Sequence, residues 1–321
     1  MQYSTIPHCH RRIIEAGSAV LFLGLAACDG ESRRLDAAAG YLAGAPAAPS
    51  HLASCQASGA SHELPTAIKE SSGLARSLRD PGLFWTHNDA GNRPVVFAVT
   101  ERGELAARVT IEGARHVDWE DIDIAPCGDG NCLYIGDIGD NDGKRNSVTI
   151  YRVREPADGA RTAQVDATIN ARYPDGARDA EAMFIHSGNI YIVTKGREGP
   201  IELYGLSGGS AGTGITTMKK IREIFPEPKT SDDRITSASA SPDGRWVAIR
   251  SYRTLYLFPS QGLIDGSAAN AVTSDLKPLR EPKGEGLAIA NDGSVWLSSE
   301  ADGKRPPAIS QMKCNLAAAG G

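Results

Sequence analysis

Carboxylate side chains stand on both sides of one short hairpin in the middle of this 321-residue chain. Asp118, Glu120 and Asp121 precede its first apolar segment, and Asp137 and Asp140 follow the second. The first strand of a hairpin starts beside the end of the second, so the two acidic groups should meet at one sheet edge. Carboxylates held this close repel one another unless a cation or basic side chains neutralise them. The sequence therefore predicts either a site for a hard cation or a solvated acidic loop.

The hairpin is one of five copies of a pattern that recurs along the chain. In each copy an acidic or small polar residue leads a short apolar strand, and a turn, a second strand and a third strand follow. The leading residues are Ser72, Glu120, Glu181, Thr236 and Glu285. Strand groups repeated at this spacing are typical of propeller blades. We predict an all-β fold, a single β-propeller with five blades, or six if one blade is too degenerate to recognise.

The N-terminal region is typical of an export signal. Two arginines precede an apolar run over residues 16–27, which is too short to span a membrane comfortably as a helix. The run ends in Leu-Ala-Ala-Cys, which resembles the lipobox of bacterial lipoproteins. By that resemblance residues 1–27 are a signal peptide and Cys28 carries a lipid anchor. An ordinary secretory signal cleaved near the same place is the alternative.

Composition divides the rest of the chain. Residues 28–60 are rich in Ala, Gly, Ser and Pro and are expected to form a flexible tether, followed by the propeller over 61–316 and a tail over 317–321. The formal net charge of −5 gives no indication of nucleic-acid binding. We expect a monomer that faces the periplasm or is exported. Its expected partners are the membrane, a small anionic or ester ligand, or an envelope protein.

Four cysteines lie outside the N-terminal region, and an even number in an exported chain indicates disulfides. Cys127 and Cys132 bracket the hairpin loop and should pair locally. The last copy of the pattern stops after its third strand, at Cys314. The missing fourth strand can come from the N-terminal side, between residues 55 and 68, which would bring Cys55 and Cys314 together. In the other blades a fourth strand is predicted near residues 105–111, 167–173, 220–225 and 276–279.

Propeller geometry places the leading residues and the ends of the second strands around one mouth of the central channel. Three leading glutamates that converge there would raise one another's pKa or recruit a metal ion. A site rich in carboxylate and amide oxygens favours calcium over zinc or copper. The predicted calcium ligands are Asp89, Glu120, Asp137, Asp140, Asn141, Glu285 and Glu300.

Several copies resemble blades of the bacterial phytase-like and esterase-like phytase propellers. The resemblance rests on residues 70–74 with 85–89, 179–183, and 284–289 with 295–300. Residues 241–249 are similar to a WD40-like turn, and gluconolactonase-like propellers share the short motifs. The chain most resembles exported lipoproteins that carry Asp-Trp-Glu-Asp-Ile and Gly-Asp-Ile-Gly-Asp-Asn. The resemblance implies calcium-binding carboxylates at the channel mouth, at Glu120, Glu181, Glu285 and Glu300.

Two functions are expected from this pattern. The first is a calcium-dependent hydrolase of a phosphate ester or related ester, in which the ion polarises the substrate and activates water. Lys195 and Arg250 would stabilise the developing charge, and Glu181 or His87 would move the proton. The second is a non-catalytic binding or scaffold propeller of the cell envelope. A wide mouth with Lys195 and Arg250 already paired to glutamates would favour the second.

Overall fold

The strands of the computed structural model, which describes residues 55–209, 212, 214–267 and 271–316, are grouped into five blades around a central channel. Two short strands come first, β1 (Cys55–Ala57) and β2 (His62–Glu63). Blade 1 consists of β3 (Ser71–Arg76), β4 (Leu83–Asn88), β5 (Val95–Thr100) and β6 (Leu105–Glu112). Blade 2 consists of β7 (Trp119–Cys127), β8 (Gly130–Asp137), β9 (Val148–Arg154) and β10 (Thr162–Arg172).

The remaining blades repeat this antiparallel order from the inside outwards. Blade 3 contains β11 (Ala180–His186), β12 (Asn189–Thr194), β13 (Ile201–Ser207) and β15 (Lys219–Phe225), while β14 (Ile215–Thr217) pairs with β10. Blade 4 contains β16 (Ile235–Ala240), β17 (Trp246–Ser251), β18 (Thr254–Pro259) and β19 (Val272–Asp275), with the short helix α1 (Ser260–Asp265) between the last two. Blade 5 contains β20 (Lys283–Ile289), β21 (Ser294–Glu300) and β22 (Ala308–Cys314). The predicted five-bladed all-β propeller is confirmed.

Apolar side chains fill the space between each pair of neighbouring blades within the described residues. In β12, Ile190 and Ile192 pack towards blade 2, and Tyr191 and Val193 pack towards blade 4. A strand buried on both faces needs apolar residues at every position rather than at alternate ones. This requirement explains why the second strands read as short, unbroken apolar runs.

The ring closes through the N-terminal strands. Both β1 and β2 pair with β22, and Cys55 lies opposite Cys314 in the register. The predicted disulfides Cys55–Cys314 and Cys127–Cys132 are both present. Residues 55–57, which composition assigned to the tether, therefore belong to blade 5.

The fourth strand of blade 4 differs from the prediction. It is β19, whereas the segment predicted near 276–279 contains the 3₁₀ turn Lys277–Leu279. Pro278 explains the difference, because proline fixes φ and has no N–H to donate to a neighbouring strand. The predicted signal peptide, Cys28, residues 28–54 of the tether and residues 317–321 lie outside the described residues. Within the described part, no helix is long and apolar enough to cross a bilayer.

Candidate metal site at the channel mouth

Each of the five inner strands has a β-bulge at its leading residue. The pairing with the second strand is interrupted between residues 71 and 74, 119 and 121, 180 and 182, 235 and 237, and 284 and 287. A bulge leaves a residue out of the hydrogen-bonded ladder and changes the direction of its side chain. The interruptions span all the leading residues, which are buried: Ser72, Glu120, Glu181, Thr236 and Glu285. The sequence repeat is thus also a repeat of backbone geometry.

Three carboxylates from blades 1 and 2 meet at this mouth. Ligand oxygens of Asp89, Asp118 and Glu120 all lie within 4.8 Å of one another. Glu120 is only 3% exposed, and among the described residues its side chain accepts no hydrogen bond and forms no ion pair. A Cβ atom at position 139 would overlap Glu120 Oε1 and Asp118 Oδ2. Gly139 therefore lets the loop after β8 pass directly against the two carboxylates.

Burial and mutual repulsion make Glu120 and Asp118 hard to ionise. Burial, with the charges of Asp89 and Asp118, raises the pKa of Glu120 well above its ordinary value, and Lys195 opposes this effect. Burial, with Asp89 and Asp179, raises the pKa of Asp118 to about 6. Buried carboxylates of this kind either take up a proton or bind a cation. The donor atoms are all oxygens, which fits calcium or magnesium better than zinc or copper.

The predicted ligands of the loop after β8 lie outside this cluster of oxygens. Asp137 accepts a hydrogen bond from the backbone N–H of Asp118 (3.3 Å) and forms an ion pair with Arg145 (2.7 Å). Asp140 accepts a hydrogen bond from the backbone N–H of Arg145 (2.8 Å). Asn141 is exposed. In these contacts the two aspartates position the loop and the backbone of Asp118.

A lysine that the sequence analysis did not single out holds the glutamates of blade 5. Lys283 Nζ lies 2.8 Å from Glu285 Oε1 and 2.6 Å from Glu300 Oε2. Burial raises the pKa of Glu285 to about 7, although Lys283 opposes the shift. One ammonium group is thus shared between these two predicted calcium ligands and offsets part of their negative charge. Lys283 is the first residue of β20, and the repeat pattern, which begins at Glu285 in this copy, does not include it.

The basic residues predicted to act on a substrate are engaged with acidic partners. Lys195 forms a buried ion pair with Glu181. Arg250 is fully buried and donates two hydrogen bonds to the carboxylate of Glu281 (2.8 and 3.1 Å). Both cations are therefore neutralised within the protein.

His87, the other predicted proton-transfer group, is fully buried. Its Nδ1 lies 3.0 Å from the carbonyl oxygen of Asn88, and its ring packs edge-on against Trp119. Burial lowers the pKa of His87 to about 4, so the ring is neutral at neutral pH. Its catalytic role, like those of Glu181, Lys195 and Arg250, stays a prediction.

Beneath the mouth, Asp121 ties three blades together across the channel. Its Oδ2 accepts hydrogen bonds from the backbone N–H groups of Met183 (2.8 Å) in blade 3 and Ala238 (3.1 Å) in blade 4. Its Oδ1 accepts one from the hydroxyl of Ser237 (3.0 Å). Sequence reasoning placed Asp121 in the acidic cluster, but its carboxylate satisfies inner-strand backbone groups instead.

We expect Asp123 to make the stability of the protein depend on pH. It accepts a hydrogen bond from the backbone N–H of Ile185 (2.6 Å), and burial raises its pKa to about 7. The folded state thus binds this proton more tightly than the unfolded state, so the stabilisation present at acidic pH is lost as pH rises through about 7. We expect the protein to lose about 2–3 kcal/mol through this group between about pH 5 and pH 8.

The Asp123→Asn variant tests this dependence. The amide cannot ionise and keeps an oxygen that can accept the hydrogen bond from Ile185, so its stability should fall less over the same range. The measurement is urea denaturation of both proteins at the two pH values. Equal losses in the two proteins would show that Asp123 is not the titrating group.

Comparison with known proteins supports the fold at low sequence identity. No protein-family model matches the chain, and no curated protein matches it. Among solved structures, the allergen Mala s 1 of Malassezia sympodialis has 11% identity and a TM-score of 0.52, over 80% of this chain and 97% of that one. The PQQ-bound aldose sugar dehydrogenase of Streptomyces coelicolor has 12% identity and a TM-score of 0.48, over 84% of this chain and 100% of that one.

A calcium-binding regucalcin of Agrobacterium tumefaciens has 10% identity and a TM-score of 0.43, over 80% of this chain and 96% of that one. At such identities the likeness to the allergen concerns the fold alone, and the two lower TM-scores carry no argument about the site. Fold and site together define a five-bladed β-propeller with an acidic cluster that could bind a metal ion.

Proposed function

We propose that the protein binds calcium at the channel mouth through Asp89, Asp118 and Glu120. The observation that carries this proposal is the buried carboxylate of Glu120, which has no partner among the described residues and lies within 4.8 Å of two other carboxylates. An unpaired ionised carboxylate is costly to bury, and a cation at this point would neutralise it. Calcium takes six to eight oxygen ligands, so three side chains leave coordination positions for water or for a ligand.

The ion pairs of the basic side chains at the mouth favour a binding role over a catalytic one. Lys195 is paired with Glu181, and Arg250 is paired with Glu281. Neither cation is free to stabilise the charge that develops on a phosphoryl group. We therefore propose calcium-dependent binding of a small anionic or ester ligand, or of an envelope protein, as the primary function.

Hydrolysis of a phosphate ester or related ester is the second candidate. It is favoured by the charge of Lys195, which acts on Glu120 and Glu285 and would become available if its pairing with Glu181 opened. Bound calcium would supply Lewis-acid polarisation of an ester oxygen. The test is release of p-nitrophenol from its phosphate and acetate esters with and without calcium. Turnover that does not depend on calcium or on Lys195 would exclude this candidate.

The location in the cell is proposed from sequence and disulfides. The Leu-Ala-Ala-Cys motif supports a lipid anchor at Cys28, and two disulfides fit an oxidising compartment such as the periplasm. Metabolic labelling with a fatty-acid analogue should mark the protein but not the Cys28→Ala variant. Equal labelling of both would count against the anchor.

Calcium should stabilise the protein against heat. After chelation, titrating calcium back should raise the melting temperature by about 5–10 °C once the ion is at roughly 100 times its dissociation constant. In Glu120→Gln this response should be lost. Without calcium, the variant should melt at the same temperature as the unmodified protein or higher, because the amide has no charge that burial could penalise.

The matched control is Asp142→Asn, a change of an exposed aspartate in the loop that follows β8. Its calcium response should equal that of the unmodified protein. An unmodified protein whose melting temperature is unaffected by calcium would refute the site. A calcium response that persists in Glu120→Gln would place the ion elsewhere.

A further inference from the structure

A cavity with basic walls lies between blades 4 and 5, beside the acidic mouth. Its volume is about 330 Å³. It is lined by residues from the turn between β17 and β18, from the connection between β19 and β20 and from the start of β20, together with Asp232, which precedes β16. Its charged lining residues are Arg253, Lys277, Arg280 and Lys283 on the basic side, and Asp232 and Glu281 on the acidic side. No motif in the sequence marks these residues as a group.

Part of this charge is already neutralised. The carboxylate of Glu281 receives two hydrogen bonds from the buried Arg250, and Lys283 is paired with Glu285 and Glu300. These contacts hold the side chains of Glu281 and Lys283 in place. They leave the other three basic residues to act on whatever enters it.

The free positive charge exceeds the free negative charge. Lys277 and Arg280 form no side-chain ion pair or hydrogen bond within the described residues. Arg253 approaches an acidic group only at 4.0 Å, where its Nε faces Asp275. Against these three cations the lining offers one further carboxylate, that of Asp232. The cavity therefore carries a local excess of positive charge, although the chain as a whole has a net charge of −5.

The backbone holds Arg280 in an unusual conformation. Its φ of 54° lies in the left-handed region, which costs a non-glycine residue about 1 kcal/mol or more. The guanidinium of Arg305 stabilises this loop by donating hydrogen bonds to the carbonyl oxygens of Arg280 (2.8 Å) and Pro282 (3.3 Å). Arg305 is in turn ion-paired with Asp302 (2.7 Å). A strained residue that its surroundings hold in place is typical of a functional site.

We propose that this cavity binds a small oxyanion with two or more negative charges, of the phosphate or polycarboxylate class. Arg253 and Arg280 carry planar guanidinium groups that can donate two parallel hydrogen bonds to a phosphate or carboxylate, and Lys277 adds a point charge. Tyr252 lines the same cavity and offers an aromatic wall to the organic part of a ligand. The volume suits a small organic anion.

Calorimetric titration of the full-length protein with pyrophosphate and with citrate tests the proposal. Protein and buffers are first passed over a chelating resin to remove calcium, so the outcome does not depend on the proposed calcium site and no soluble chelator competes for the cavity, and sodium chloride keeps the ionic strength constant. We expect saturable binding of at least one of the two anions. Lys277→Ala combined with Arg280→Gly should weaken it about tenfold or more.

Glycine at position 280 suits the left-handed backbone, so the double variant should fold as well as the unmodified protein. Arg253→Gln is an independent second variant and should also weaken binding. Lys219→Ala, which removes an exposed lysine of β15, is the matched control and should bind normally. Absence of saturable binding, unchanged binding in both cavity variants, or an equal loss in Lys219→Ala would each overturn the proposal.

Discussion

Replacement of Asp121 by alanine should lower the free energy of unfolding by about 4 kcal/mol. The carboxylate is fully buried and accepts hydrogen bonds from Met183 and Ser237 as well as Ala238, in two different blades. Burial raises the pKa of Asp121, and the backbone donors oppose that shift. The backbone N–H of Ile122 donates to it as well, so whichever form is present, its removal takes the acceptor from four buried donors. Urea denaturation at constant pH measures the loss.

Two further variants separate this effect from a general loss of charge. Asp121→Asn keeps one oxygen that can accept part of the network and should lose about 2 kcal/mol. Asp129→Ala removes a fully exposed carboxylate from the loop of the same hairpin and should leave the free energy of unfolding almost unchanged. A loss below about 1 kcal/mol in Asp121→Ala would mean that the contacts between blades do not depend on this carboxylate.

The repeat predicted the ring because blade packing constrains the sequence strongly. The second strands are buried on both faces, so each must be a short apolar run bounded by turns, as in Trp246 to Ile249. The copy that ends at Cys314 without a fourth strand indicated both the closure and its disulfide. These predictions depend on burial, which leaves a clear pattern in a single sequence.

Outer strands leave a weaker pattern. The strand β19 reads Val-Thr-Ser-Asp, and its residues are half-buried or exposed. Such a strand lies at the blade edge and packs on few neighbours, so its sequence is close to that of a loop. The apolar Leu276 and Leu279 therefore give a stronger strand signal than β19 itself, although they belong to the connection that follows it.

The leading glutamates were predictable from the repeat, but their partners were not. Which carboxylates meet depends on the bulges and on how far each side chain reaches. Asp118 joins Asp89 and Glu120 in the cluster. Asp137 lies opposite Trp119 in the strand register, next to these residues, but forms an ion pair with Arg145. The same limit applies to the basic cavity, whose lining residues lie near one another in space but have no repeat position in common.

Loss of the Cys55–Cys314 disulfide should have the largest effect of any change at the periphery of the ring. The two cysteines are separated by 259 residues, whereas Cys127 and Cys132 are separated by 5. In the chain-entropy description, opening the long loop should cost about 5 kcal/mol and opening the short one about 2 kcal/mol. The measurement is urea denaturation of the two double alanine variants under non-reducing conditions.

The difference in stability loss between the two double variants shows how much the Cys55–Cys314 disulfide contributes to closing the ring. The strand β1 has only three residues paired with β22, so backbone hydrogen bonds alone hold it weakly. Without the bridge, we expect the N-terminal strand to detach from blade 5 before the other blades unfold, which would broaden the transition. Equal losses from the two pairs, each with a sharp transition, would show that the strand contacts close the ring without covalent help.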